Sequence, residues 1–214
     1  MSGFLISLEG IDGCGKTTQA RLLKERLERE AIPHLLTREP GGTAAGEKIR
    51  LLLLQQKEHS LTNNTEILLY MAARAELVET VIGPALAAGQ LVICDRYVDS
   101  TVAYQGYGGG GDRDWIRALN EKAAGNCRPH LTFLFDLSVE EALRRRGSGG
   151  DRVEERALSY HRRVRQGYLA IAAAEPERII LIDAAAPAER QHREIWTKLR
   201  SLVPLLETGG FDEL

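Results

Sequence analysis

Cysteine is scarce in this chain, with three among 214 residues. Cys14, Cys94 and Cys127 are odd in number, far apart and in no CxxC pair, which argues against a disulfide framework and a cysteine-based zinc site. Five histidines are equally scattered and show no HExxH or paired spacing, so side chains offer no transition-metal site. No window approaches about 18 consecutive apolar residues, and no basic start, apolar stretch and small-residue cleavage site marks an export signal. The expectation is a soluble, cytoplasmic protein with no membrane partner. Charge of one sign is also missing: 28 basic against 30 acidic residues leave a formal net charge of -2. That balance gives no general attraction to nucleic acid or an anionic surface, so any anion must be held locally.

What the chain does contain is an ordinary share of hydrophobic residues, 43%, and a length suited to one core. Glycine is the departure. Of 21 glycines, fourteen fall in four clusters: 10, 13 and 15; 41, 42 and 46; 106 and 108–111; 147, 149 and 150. Short apolar runs at 4–9, 34–37, 91–94, 131–135 and 179–182 read as strands. Helical periodicity at 16–31, 43–55, 66–88, 114–124, 139–146, 154–174 and 188–206 separates them. Strands without polar alternation, each followed by a helix, predict an α/β fold with a five-stranded parallel sheet covered by helices and buried on both faces. One domain is expected over 1–207, with 208–214 as a C-terminal tail.

Residues 10–17 (GIDGCGKT) match GxxxxGK[ST] between a predicted strand and a predicted helix. In such a loop glycines let successive N–H groups turn toward a polyphosphate, and the following helix adds its positive end. Gly10, Ile11, Asp12, Gly13, Cys14, Gly15, Lys16, Thr17 and Thr18 are therefore the expected nucleotide-binding stretch. Lys16 would reach the β and γ phosphates, and Thr17 would ligate Mg²⁺. A phosphate loop alone leaves a switch GTPase, a motor ATPase and a small-molecule kinase open. No NKxD or DxxG segment follows, which disfavours the first. At the end of the 91–94 strand stand Asp95 and Arg96. They read either as a surface ion pair or, beside a phosphate loop, as a Mg²⁺ carboxylate and a phosphate fork.

From 139 to 168 there are eight arginines and five acids, +3 against -5 for the remainder. Glycines interrupt this stretch at 147–150. It reads as a charged helix end or as a short mobile lid, about 144–153, that brings a guanidinium to a transferring phosphoryl group; Arg146 and Arg152 are the candidates.

Taken together, EGIDGCGKTT (9–18), TREPGGT (37–43), YMAAR (70–74), DRYVDSTVAYQ (95–105) and DRVE (151–154) resemble the thymidylate kinase family in order and spacing, over about residues 4–205. The resemblance implies a three-layer P-loop NTPase fold, phosphoryl transfer from ATP to dTMP with Mg²⁺, and a homodimer. It implies that Tyr70 stacks on thymine and Arg74 hydrogen-bonds the base edge. Ser100 and Thr101 would read the base further, Tyr104 would crowd the 2′ position, and Gln105 would close the same wall. Glu39, Arg50 and Arg96 resemble groups around the monophosphate and the 3′-hydroxyl, with Gly41 and Gly42 turning Glu39 toward the cleft. Two positions depart from the family pattern: Tyr70 stands where Phe is common, and the loop carries no arginine, so a catalytic arginine must come from the lid. Asp12 is expected to face the acceptor sugar or a Mg²⁺-bound water. The 108–111 glycines either let a loop move or merely join the preceding acceptor-site helix to Asp114, and Leu68, Leu69, Ala72, Leu77 and Ile82 on the 66–88 helix are either a dimer seam or core.

Overall fold

The computed structural model describes residues 3–55, 61–147, 150–203 and 206. The expected 208–214 tail, and Ser148 and Gly149 of the expected lid, lie outside the described residues.

Five strands, β1 (Phe4–Glu9), β2 (His34–Arg38), β3 (Leu91–Asp95), β4 (Leu131–Asp136) and β5 (Ile179–Asp183), form one sheet in the order β2-β3-β1-β4-β5. Every neighbouring pair is parallel. The three inner strands match the expectation of burial on both faces: Leu5, Ile6 and Leu8 of β1 are fully buried, as are Leu91, Val92 and Ile93 of β3. Each such side chain contributes roughly 1.5–3 kcal/mol of apolar burial. The outer strands differ, because an edge has a neighbour on one side only; Leu181 of β5 is half exposed.

The helices are α1 (Lys16–Arg29), α2 (Ala44–Leu54), α3 (Asn63–Leu77), α4 (Gly83–Ala87), α5 (Val98–Thr101), α6 (Arg113–Ala124), α7 (Val139–Arg146), α8 (Leu158–Ala174) and α9 (Ala188–Leu202). Caps set several starts: the hydroxyls of Thr43, Thr62 and Ser138 accept from backbone N–H groups of their first turns. The predicted 66–88 helix is α3 and α4 joined by a widened, π-type turn at Val78–Ile82. Pro84, just beyond it, has no N–H to give the carbonyl four residues back.

Two helix boundaries differ by four residues from the sequence pattern, and one helical segment is additional to it. Helix α8 begins at 158 instead of 154, because the Asp151 carboxylate accepts from the N–H groups of Val153 and Glu154, both at 2.9 Å, and folds that segment into a turn. Helix α9 stops at 202 instead of 206; Val203 is extended, as the residue before a proline tends to be. The helical segment Val98–Gly108, α5 followed by a π-type stretch, was not among the expected helices. Its glycines weaken the local signal, and α8 supplies the missing support, with the Tyr160 hydroxyl donating to the Tyr104 carbonyl at 3.0 Å.

That packing also settles the third glycine cluster. A Cβ on Gly108 would come within 2.7 Å of Tyr160 and Val164, and one on Gly109 or Gly111 would meet Asn63. Gly109 and Gly111 donate to the carbonyls of Tyr104 and Gln105, each at 2.9 Å. These glycines admit close neighbours. Gly108→Ala is expected to destabilise the fold by about 1–3 kcal/mol through overpacking, read as a lowered midpoint in urea unfolding; an unchanged midpoint would reopen the hinge alternative.

Candidate active site

Parallel strands present their C-terminal ends along one edge of the sheet, and ligands of such folds bind there. At that edge β1 ends in Glu9 and the glycine loop, β2 in Arg38 and Glu39, and β3 in Asp95 and Arg96. A cleft of about 520 Å³ opens beside them, a size suited to a small ligand.

The loop turns through glycines with positive φ at 10, 13 and 15. A Cβ on Gly13 would lie 2.2 Å from the Ala142 carbonyl oxygen, so only glycine allows this approach of the loop to α7. Gly15 caps α1 in a left-handed conformation with no side-chain acceptor for the first-turn N–H groups, which leaves that helix start suited to an anion. Lys16 is buried and folded over the loop, donating to the carbonyls of Gly10 and Ile11 at 3.0 Å each and reaching Cys14 Sγ at 3.6 Å. Asp12, Gly13, Gly15, Lys16, Thr17 and Thr18 line the cleft. Gly10, Ile11 and Cys14 do not; the Ile11 and Cys14 side chains turn back into the main apolar core.

The exposed Thr17 hydroxyl donates to Asp95 Oδ2 at 2.9 Å. A hydroxyl and a carboxylate at a nucleotide cleft are hard oxygen donors. No group of three or more His, Cys, Asp or Glu suited to a metal occurs among the described residues. An ion held here would take most of its shell from water and phosphate, which fits Mg²⁺.

Arg96 has φ 69°, and its guanidinium joins the loop to the opposite wall. Nη1 donates to the Gly10 carbonyl at 2.9 Å and reaches the hydroxyls of Tyr168 and Ser100; Nη2 donates to Tyr104 at 3.1 Å and to Asp12. Tyr104 donates to the other oxygen of Asp12 at 2.9 Å. Burial opposes ionisation of Asp12, but the charges of Arg96 and Lys16 and these two hydrogen bonds hold its carboxyl well below the ordinary range. Asp12, expected to face the acceptor sugar or a Mg²⁺-bound water, lines the cleft with its carboxylate engaged by Arg96 and Tyr104.

Arg74 is buried and its five N–H groups are all partnered. Nε donates to both Glu39 oxygens at 2.9 and 3.1 Å, Nη2 to Glu39 and to Thr101 at 3.1 Å, and Nη1 to Asn120 and to Met71 Sδ at 3.7 Å. The implied bond from Arg74 to a base edge therefore has no spare donor in this arrangement. Glu39 likewise lines the cleft, as its glycine turn predicts, yet both oxygens belong to Arg74. Arg50 donates to the Pro40 carbonyl at 2.9 Å. Tyr70, Ser100, Thr101, Tyr104 and Gln105 complete the wall. Burial and the nearby Glu66 charge push the Tyr70 phenol up, so it stays protonated, and no protein group among the described residues bonds its hydroxyl.

Neither lid arginine lines the cleft. Arg146 donates to the Glu154 carbonyl at 2.8 Å, whereas Arg152 pairs with Glu66 at 2.7 Å and donates to the Leu53 carbonyl at 2.9 Å. Most arginines of the basic stretch also have carboxylate partners: Arg144 and Arg145 pair with Glu141, Arg162 with Glu140 and Arg165 with Asp136. Much of the sequence's local positive charge thus ties helix ends together. From this stretch the cleft receives Asp151, Val153 and Glu154 instead.

Sequence reasoning missed Glu9, Tyr168, Asn120 and Glu66. Glu9 closes an apolar strand and is fully buried, accepting from the Tyr97 N–H at 2.7 Å, Ser100 Oγ at 2.6 Å and Tyr168 Oη at 2.8 Å. An acid ending an otherwise apolar run was the available signal. Glu66 stands one turn before Tyr70 and two before Arg74, in a row of polar residues on the buried side of α3.

A parallel sheet with a glycine cradle at its C-terminal edge and a nucleotide-sized cleft beside it defines a P-loop NTPase fold. The family model for thymidylate kinase matches residues 8–195. A thymidylate kinase of Synechococcus sp. (strain JA-2-3B'a(2-13)) is 52% identical over 205 residues, covering 95% of this chain and 98% of that one. Another, from Symbiobacterium thermophilum, is 46% identical over 200 residues, covering 93% and 94%. The crystal structure of thymidylate kinase from Ehrlichia chaffeensis superposes with a TM-score of 0.78 at 36% identity, covering 94% of this chain and all of that one. The chain belongs to the thymidylate kinase family.

Burial, then the charge of Asp99, pushes Glu9 up from 4.5 to about 7 against the hydrogen bonds of Ser100 and Tyr168 and the charge of Arg96. A carboxyl whose folded pKa exceeds its unfolded one binds its proton more tightly when folded, so stability falls as pH rises from about 4.5 through 7. At 1.36 kcal/mol per pKa unit the contribution is roughly 3 kcal/mol. Urea unfolding at pH 5.5 and 8 should show about 2 kcal/mol of this loss, the rest falling below pH 5.5, with a smaller loss in Glu9→Gln; an equal loss in both proteins would contradict it.

Proposed function

We propose that this cleft binds dTMP against the sheet edge and ATP on the glycine cradle, so that the acceptor phosphate attacks the γ phosphorus in line. The observation that carries the assignment is the cleft itself, whose wall joins the phosphate loop to Tyr70, Arg96, Ser100, Thr101, Tyr104 and Gln105. The reaction is the family's own, phosphoryl transfer from ATP to dTMP in dTTP synthesis. Such transfer requires mainly positioning and charge stabilisation, because the acceptor is already an anion near neutral pH.

Lys16 supplies positive charge to the donor phosphates on leaving the loop carbonyls it now touches. Arg96, held on Asp12 and Tyr104, faces the phosphate of the acceptor together with Arg50. Thr17 and Asp95 would hold Mg²⁺, which when bound neutralises charge on the transferring phosphate. Tyr70 presents an aromatic face to the base. Thr101 accepts from Arg74, which leaves its own proton to donate; a keto oxygen of thymine suits that better than the amine of cytosine. Arg74 acts through Thr101, with Glu39 as its counter-ion. Tyr104 and Gln105 bound the sugar side. Of the lid arginines Arg146 is the better candidate for the transferring group, since among the described residues only a main-chain carbonyl holds it and its buried Nε has no partner.

Leu51, Leu52 and Leu68 are 50%, 41% and 52% exposed on the adjoining helices α2 and α3, and this apolar surface supports a homodimer seam there. Among the described residues no helix is long and apolar enough to cross a membrane, which is consistent with a cytoplasmic enzyme.

Lys16→Ala should lower kcat by at least about 100-fold, the scale for losing a charge that stabilises the transferring group, while dTMP affinity by calorimetry stays within about threefold. Turnover near that of the unaltered protein would contradict the role of the loop.

A further inference from the structure

One buried carboxylate holds the side of the cleft that the sequence assigned to a lid. Glu66 is fully buried on α3. Its Oε1 takes Arg152 Nη1 at 2.7 Å and also Arg156 Nη2, and its Oε2 takes Gln105 Nε2 at 3.1 Å. Arg152 is fixed a second time, by its N–H on the Leu54 carbonyl at 3.0 Å and its Nε on the Leu53 carbonyl at 2.9 Å, both at the end of α2. Arg156 lies over the Tyr160 ring at 4.6 Å. The residues on either side of Arg152, Asp151 and Val153, line the cleft, as do Gln105 and Tyr70. Glu66 itself does not.

A buried ion pair adds little net stability over an apolar replacement, because desolvation offsets most of the attraction. Two guanidiniums on one carboxylate make the balance worse, and Arg152 Nη2 is buried with no partner among the described residues. Stability is therefore a poor reason for this cluster, whereas its geometry joins three separate parts of the acceptor wall at a single point. We propose that Glu66 is a positioning residue for the acceptor nucleotide: through Arg152, Arg156 and Gln105 it sets the 151–154 wall and the 105 wall of the cleft against Tyr70, without touching the ligand. Arg152 stays on Glu66 through turnover and is not a group that acts on the phosphates. The inference rests on the assignment of dTMP to this cleft.

The test is steady-state kinetics with ATP and dTMP on the full chain, comparing Glu66→Gln and Arg156→Gln with the unaltered protein. Arg156→Gln leaves Glu66 paired with Arg152 and so guards against a folding failure of the first variant. A displaced acceptor wall should raise the dTMP KM about five- to tenfold in Glu66→Gln and about two- to threefold in Arg156→Gln, with ATP KM and kcat little changed. Arg156→Lys should restore the dTMP KM. Unchanged dTMP KM in both variants, with only a lowered melting temperature, overturns the proposal by showing a purely structural pair. A fall in kcat at constant dTMP KM overturns it as well, since Arg152 would then leave Glu66 to act on the phosphates. If the unaltered protein fails to turn over dTMP, the dTMP assignment itself has failed, a result distinct from either.

Discussion

Every buried or half-buried cation named beside the cleft is already held by an acceptor of the chain itself. A chain with a net charge of -2 has no general positive field to offer a nucleotide, so it must concentrate cations at one place. A buried guanidinium without a partner would cost several kcal/mol. The structure meets both demands by setting an acceptor behind each cation: Asp12 for Arg96, Glu39 for Arg74, Glu66 for Arg152 and Arg156, and two loop carbonyls for Lys16. Removing any one of these carboxylates would leave a charge stranded in the wall.

The same constraint assigns different tasks to cations that look alike in the sequence. Arg96 leans on Asp12 from a cleft wall it shares with Lys16 and Thr17. Arg74 is enclosed by Glu39, Asn120, Met71 and Thr101, so in the proposed function its effect runs through the Thr101 hydroxyl. Arg152 is drawn away to Glu66. Charge count along the chain does not distinguish these three; the depth and position of each carboxylate does.

The five strands, their parallel order and the glycine cradle were legible because each is a local pattern: a short apolar run, a helical period, a spacing of glycines before Lys16 and Thr17. The cleft residues were legible through motif resemblance, which places Tyr70, Ser100, Thr101 and Tyr104 on one wall. What the sequence does not display is long-range pairing. Arg74 and Glu39 are 35 positions apart, and Arg156 and Glu66 are 90 apart, so neither local charge nor periodicity announces that the arginine is occupied. The helix over 98–108 was hidden for a related reason, since its glycines lower local propensity and distant elements, α8 above all with α3 and α6, support it. Likewise Gly108, Gly109 and Gly111 look like part of a hinge along the chain and are packing positions in space.

The cleft's assignment to ATP and dTMP is tested most directly by ADP release measured over a panel of acceptors: dTMP, dUMP, dCMP, dGMP, AMP and thymidine. A wall built to donate to a keto oxygen and to crowd the sugar should give dTMP the highest kcat/KM, at least about tenfold above dCMP, the scale of one hydrogen-bonding mismatch. Equal turnover of dCMP, preference for another acceptor, or no turnover with any of them would contradict it.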